Sequence, residues 1–74
     1  MSENQLASIL NEMYENAPSK ERVVHIHLFG IRYADEIKKS NVTPKEIIEA
    51  SNLNNSYATE IGKGIKLSKY VRLL

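Results

Sequence analysis

The four residues Thr43-Pro44-Lys45-Glu46 constrain this chain more than any other stretch. A threonine followed three residues later by a glutamate is a capping box: the hydroxyl accepts from the Glu46 amide while the carboxylate reaches back to the Thr43 amide. Pro44 then occupies the first helical position, where its missing N–H leaves no orphan donor and its fixed φ suits the helix. A helix therefore begins at Pro44, with Ile47, Ile48 and Ala50 supplying its apolar side. It must be short, because Ser51-Asn52-Leu53-Asn54-Asn55 follows within two turns. Asn52 suits a left-handed residue at a helix end, and Asn54 or Asn55 can cap a further helix from Ser56 to about Gly62, with Ala58 and Ile61 facing inward. Gly62-Lys63-Gly64 is expected to end it. The middle of the chain thus predicts two short helices meeting at a tight corner.

The rest of the chain reads as helical too. Leu6, Ile9, Leu10 and Met13 recur at i, i+3, i+4 and i+7, one apolar stripe of a helix over residues 2–16, with Ser2 as its N-cap. Asn16-Ala17-Pro18 ends it, since proline disfavours a helical residue before it. Val23 to Phe29 fits either a strand, by alternation and β-branching, or a helix, with Val24, His27, Leu28, Ile31, Ala34 and Ile37 or Lys38 on one face. Length favours a single long helix over residues 19–40, in which Gly30 marks a close crossing or a break. Ser68 can cap a last helical turn, within residues 67–74, through Tyr70, Val71 and Leu74. With 74 residues, 42% of them hydrophobic and 26% charged, the chain has room for one ordered domain spanning residues 1–74. The expected fold class is all-α, a small bundle of about five helices. A chain this short buries a modest core, so a dimer partner is a reasonable source of extra burial.

Composition excludes several kinds of chemistry. There is no cysteine, hence no disulfide scaffold, thiolate metal site or cysteine nucleophile. His25 and His27, two apart, point about 200° from each other on a helix and share no ion there; no metal and no cofactor is expected. Gly62-Lys63-Gly64 lacks the preceding strand and following Lys-Ser/Thr of a phosphate loop. No serine has a histidine and an acid arranged around it, so an enzyme is not expected. The N-terminal residues lack a basic region followed by an apolar stretch, and no run approaches a membrane span; the expected location is the cytoplasm, with no membrane contact. The net charge of +1 hides an asymmetry. Residues 1–40 hold five Lys/Arg against six Asp/Glu, residues 41–74 five against three, and from Ile61 onward Lys63, Lys66, Lys69 and Arg72 face no acid at all. Basic stretches of this kind meet polyanions, although a solvated helix face near a C-terminus has the same composition.

Two short helices across a three-residue turn, the second opened by small polar residues, make a helix-turn-helix: Pro44 to Ser51, then Asn55 to Gly62. Thr43 to Gly64, TPKEIIEASNLNNSYATEIGKG, resembles without a gap the helix-turn-helix of lambda-repressor-like and Cro-like (Xre-type) regulators, roughly T-Q-x-E-L-A-x-x-x-G-V-S-x-x-x-I-S-x-I-E-x-G. Thr43, Glu46, Ile47, Leu53, Ala58, Thr59, Ile61 and Gly64 fall on matching or similar classes, and Asn41-Val42 resembles the G-L that precedes the threonine. The first helix lies outside the resemblance. Pro44 replaces the glutamine that meets a phosphate in the family, Ile48 replaces a small alanine at a tight crossing, and Asn52 replaces glycine. Glu60 puts a carboxylate on the reading helix, where phosphates disfavour it.

The resemblance implies a sequence-specific, duplex-DNA-binding transcriptional regulator of bacterial or phage type, repression being the commoner mode. Ile47 and Ala50 then face the core, and Asn55, Ser56, Tyr57, Thr59, Glu60 and Lys63 point away from it. Asn55 and Ser56 are the first candidates for base edges, since asparagine pairs bidentately with adenine; Tyr57 and Thr59 can reach a thymine methyl or a phosphate. Lys45, Lys63, Lys66 and Lys69 are the phosphate candidates. One such module reads few base pairs, so a homodimer on a pseudo-palindromic site is expected. The first helix and Val71-Leu73-Leu74 are candidate dimer surfaces. Glu60 and the missing glutamine favour a rival: a protein-interaction module, an antirepressor or accessory subunit, that uses the same fold with a protein partner and no DNA.

Overall fold

In the computed structural model, which describes residues 1–73, the Ser2 hydroxyl accepts from the Gln5 amide at 3.1 Å. The Gln5 side chain accepts from the Ser2 amide at 2.9 Å. This reciprocal capping satisfies two donors that a helix start leaves open, and α1 runs over Glu3–Asn16. Its buried face is Leu6, Ala7 and Leu10, with Ile9 and Met13 at the edge of the core. After Pro18 comes a 3₁₀ turn at Ser19–Glu21, then α2 (Arg22–Arg32), α3 (Ala34–Ser40), α4 (Pro44–Ala50), a second 3₁₀ turn at Asn55–Tyr57, and α5 (Ala58–Leu67). The fold is all-α, with five α-helices and no strand among the described residues. Val23 to Phe29 is helix.

The expected long helix over residues 19–40 is in fact three pieces. Its first turn is 3₁₀, and Tyr33 interrupts the remainder with φ −107° and ψ 15°. No proline or glycine sits at that break. Tyr33 instead packs its ring on Phe29, centroids 5.4 Å apart, and the chain bends there so that Ile37 of α3 reaches the same core as Phe29. The buried face is also rotated from the expected one. Ile26, Phe29 and Gly30 are buried, His27, Leu28, Ile31 and Ala34 lie at the rim, and Val24 is exposed. The reason is that α2 is flanked on both sides, by α1 and by α5, so its covered arc is centred on Phe29.

Gly30 is a crossing, not a break. A Cβ on Gly30 would lie 2.6 Å from the Ile61 carbonyl oxygen, and one on Gly64 would fall onto the His27 carbonyl oxygen. Helices α2 and α5 thus meet backbone to backbone, closer than any side chain permits. That contact also explains why α5 continues through Gly62 and Gly64 to Leu67, past the expected end at Gly62: packing against α2 outweighs the roughly 1 kcal/mol each glycine costs in a helix. The expected turn capped by Ser68 is not formed. Ser68 closes α5 as its C-cap, the next two residues make a turn, and Val71 to Leu73 are irregular; Leu74 lies outside the described residues.

The core is one cluster: Leu6, Ala7, Leu10, Ile26, Phe29, Ile37, Ile47, Ile48 and Ile61. Fully burying a side chain of the larger kinds stabilises by roughly 1.5–3 kcal/mol. On α4 the inward residues are Ile47 and Ile48, and Ala50, expected inside, is exposed. Ile48 thus fills core space where the resembled pattern has alanine. No buried side-chain polar atom lacks a partner among the described residues.

Candidate nucleic-acid interface

Both ends of the corner between α4 and α5 are fixed by local chemistry. The Thr43 hydroxyl accepts from the Glu46 amide at 3.1 Å and the Glu46 carboxylate accepts from the Thr43 amide at 2.9 Å, the full capping box, with Pro44 at the helix start. Just before it, Asn41 caps α3 with φ 55°, the one left-handed non-glycine residue among those described. The Val42 amide donates back to the Ile37 carbonyl. The resembled pattern carries glycine at Asn41, and the backbone here has the conformation that glycine serves. Asn52, the other asparagine on a pattern glycine, is not left-handed. At that corner Ser51 does the turning: its hydroxyl donates to the Ile48 carbonyl at 2.7 Å and accepts from the Leu53 amide at 3.1 Å. Leu53 then packs against the core.

Asn54 opens the second helix. Its side-chain oxygen accepts from the Ser56 amide at 2.9 Å, and the 3₁₀ turn Asn55–Tyr57 feeds straight into α5. Asn55, Ser56, Thr59, Lys63 and Lys66 therefore belong to one continuous helical segment, and all five are exposed. Tyr57 does not join them. Its ring packs on Tyr14, centroids 5.7 Å apart, with the two hydroxyls 3.4 Å from each other, and this contact raises the Tyr57 phenol above its ordinary range. The Arg22 guanidinium lies 5.4 Å over the Tyr14 ring. Tyr57, expected to reach toward a base or phosphate, is instead an anchor that ties the start of α5 to α1. A second tie runs from Asn11 of α1, whose side-chain oxygen accepts from the Asn52 amide at 3.1 Å. The first helix, outside the family resemblance, thus buttresses both the turn and the helix after it.

Glu60 is also placed differently from expectation. It turns away from the open face toward α2, where His27 Nε2 lies 2.7 Å from its Oε1. An ionised carboxylate only accepts, so Nε2 carries the proton in this contact. Lys63 Nζ donates to the other oxygen at 3.2 Å. The hydrogen bond from His27, followed by that from Lys63, holds the Glu60 carboxyl below its ordinary range. This link joins residues 33 apart in sequence, and no local pattern announces it. His25 takes another acid, Glu21 at 3.9 Å, so the two histidines diverge. Among the phosphate candidates, Lys45 sits in the first turn of α4, Lys63 and Lys66 on α5, and Lys69 just beyond it; all are exposed. Lys63 alone of the four has an acidic partner among the described residues.

Two helices of 7 and 10 residues about a capped turn, the second led by exposed small polar residues, define the chain as a helix-turn-helix protein. It belongs to the HTH-like domain family, which it matches over residues 2–74. The match takes in α1, in keeping with that helix's part in holding the turn. No curated protein and no solved structure matches the chain significantly. Among the described residues no helix is long and apolar enough to cross a membrane.

Proposed function

We propose that this protein binds duplex DNA sequence-specifically and regulates transcription, as a repressor of bacterial or phage type, reading the major groove with the start of α5. The observation that carries this reading is the disposition of Glu60. With its carboxylate engaged by His27 and Lys63, the α5 side formed by Asn55, Ser56, Thr59 and Lys66 presents no free acid of its own, and the exposed acid of the corner outside the capping box is Glu49 on α4, one turn after Lys45. Asn55 and Ser56, at the helix start, are the base readers, and Thr59 lies one turn deeper. Lys45, Lys66 and Lys69 hold phosphates, while Lys63, the fourth phosphate candidate, stays on Glu60 and keeps that carboxylate off the DNA. The lambda-repressor-like resemblance from Thr43 to Gly64 supports the same assignment. No cofactor takes part.

The test is selection from a random duplex pool at two salt concentrations. We expect one enriched sequence, bound in a strongly salt-dependent way, because each phosphate contact releases counterions. Asn55→Ala should cost about 1–3 kcal/mol and relax specificity at one position, whereas Lys66→Ala should weaken all sequences alike and reduce the salt slope by about one. The rival reading, a protein-interaction module, is favoured by the exposure of Leu67, Tyr70 and Val71. Absence of duplex binding even at low salt would decide for it.

A further inference from the structure

Two of the three glycines are accounted for by the crossing of α2 and α5, and the third is not. Gly62 lies inside α5 with an ordinary helical backbone. A Cβ built on it would meet nothing within 4 Å. An alanine would fit without moving an atom and would favour the helix, so the isolated fold gains nothing from a glycine here. What glycine does provide at such a point is close approach of another molecule to the helix backbone.

The surroundings narrow down that molecule. Gly62 follows Thr59 by three residues and precedes Lys66 by four, so the half-buried glycine shares one side of α5 with these two exposed residues. The nearest acid, Glu60, is engaged by His27 and Lys63, and no acid follows it in the chain. A stretch of helix beside Lys66, which has no acidic partner among the described residues, and with no free carboxylate of its own suits an anionic backbone better than a second protein helix.

We infer that Gly62 is where a DNA sugar–phosphate strand passes closest to α5, beside the ammonium group of Lys66, while the bases are read one to two turns earlier at Asn55 and Ser56. The inference rests on the DNA-binding reading and adds to it the division of α5 into a reading turn and a strand-bearing middle. A methyl group at residue 62 stands between helix and strand; a larger side chain holds them further apart.

The test compares wild type, Gly62→Ala and Gly62→Leu by thermal melting, and by fluorescence anisotropy with a labelled mixed-sequence duplex at low salt. Gly62→Ala should raise Tm by roughly 4–8 °C while weakening duplex binding about tenfold. Gly62→Leu should weaken it further, with the fold kept. A more stable Gly62→Ala protein that binds as tightly as wild type would overturn the inference and leave the DNA reading standing. A lowered Tm would refute the open space on which it depends. A change in self-association with no change in duplex affinity would reassign Gly62 to protein packing. Failure of the wild type itself to bind duplex would remove the reading and the inference together.

Discussion

Glu60 illustrates how far one residue's meaning depends on its third dimension. In sequence it is a carboxylate on a helix meant to approach phosphates. In the structure it is the acceptor of a bond from His27 that ties α5 to α2, assisted by Lys63. Those two donors hold its carboxyl below the ordinary range, and the sign of the consequence is fixed. The unfolded chain takes up the proton at higher pH than the folded one, so in that interval the unfolded state binds more protons and stability rises with pH. The contribution is therefore complete above the ordinary carboxylate range and is lost as pH falls through the lowered value. Thermal melts from about pH 6 down to about pH 3 should show Tm falling with acidification, and Glu60→Gln should flatten that fall. Parallel curves for the two proteins would mean that the contact with His27 contributes nothing to folding.

Among the elements, the crossing of α2 and α5 decides the architecture, and glycine is what permits it. Gly64→Ala would place a methyl group on the His27 carbonyl oxygen, backbone against backbone, with no flexible side chain to yield. It should destabilise by about 1–3 kcal/mol or more, read as a lowered Tm, whereas the same substitution two residues earlier raises it. Equal effects at residues 62 and 64 would contradict the crossing. This contrast also marks what the sequence carries openly and what it does not. Some helix starts are written locally: Ser2 and Thr43 with Glu46 cap the helices their spacing predicts, and Asn54, one of two candidate caps, closes the 3₁₀ turn that leads into α5, whereas α2 and α3 begin with no side-chain cap. Helix ends and breaks are not. The bend at Tyr33 follows from a ring packed on Phe29, and the passage of α5 through two glycines follows from a partner helix more than thirty residues away. The corner itself was legible as a class, but its turning residue was not: Asn52 suits a left-handed conformation, yet the Ser51 hydroxyl closes the turn without one. Of the candidate site, Asn55, Ser56, Thr59 and the lysines are exposed as their spacing suggests. Tyr57 and Glu60 are diverted by Tyr14 and His27, neighbours that only folding supplies.

For the molecule as a whole, size is the governing fact. Its extents are 31 × 27 × 19 Å, and successive half-sites on one face of B-DNA lie about 34–36 Å apart. On the DNA-binding reading proposed above, one copy would reach a single groove segment, and we propose that two copies pair on a pseudo-palindromic site. The first helix is ill suited to join them, because Leu6, Ala7 and Leu10 are already inside and its flank holds the turn. Apolar surface remains at the other end of the chain, where Leu67, Val71 and Leu73 are exposed and Tyr70 is 84% so. That end of α5 is the one remote from Asn55, so a two-fold pairing there leaves the candidate base readers of both copies uncovered. Replacing Tyr70 and Val71 together by serine should leave the protomer folded, since neither contributes to the core, and should lower Tm only by the share that the dimer contact supplies. The same change should convert a dimeric mass to a monomeric one by light scattering. Affinity for the full palindrome should then fall steeply, because the second half-site no longer binds at high effective concentration, while affinity for an isolated half-site stays the same. A wild type that is monomeric at the concentrations where it binds duplex, or a serine variant that still dimerises, would exclude this end as the dimer surface.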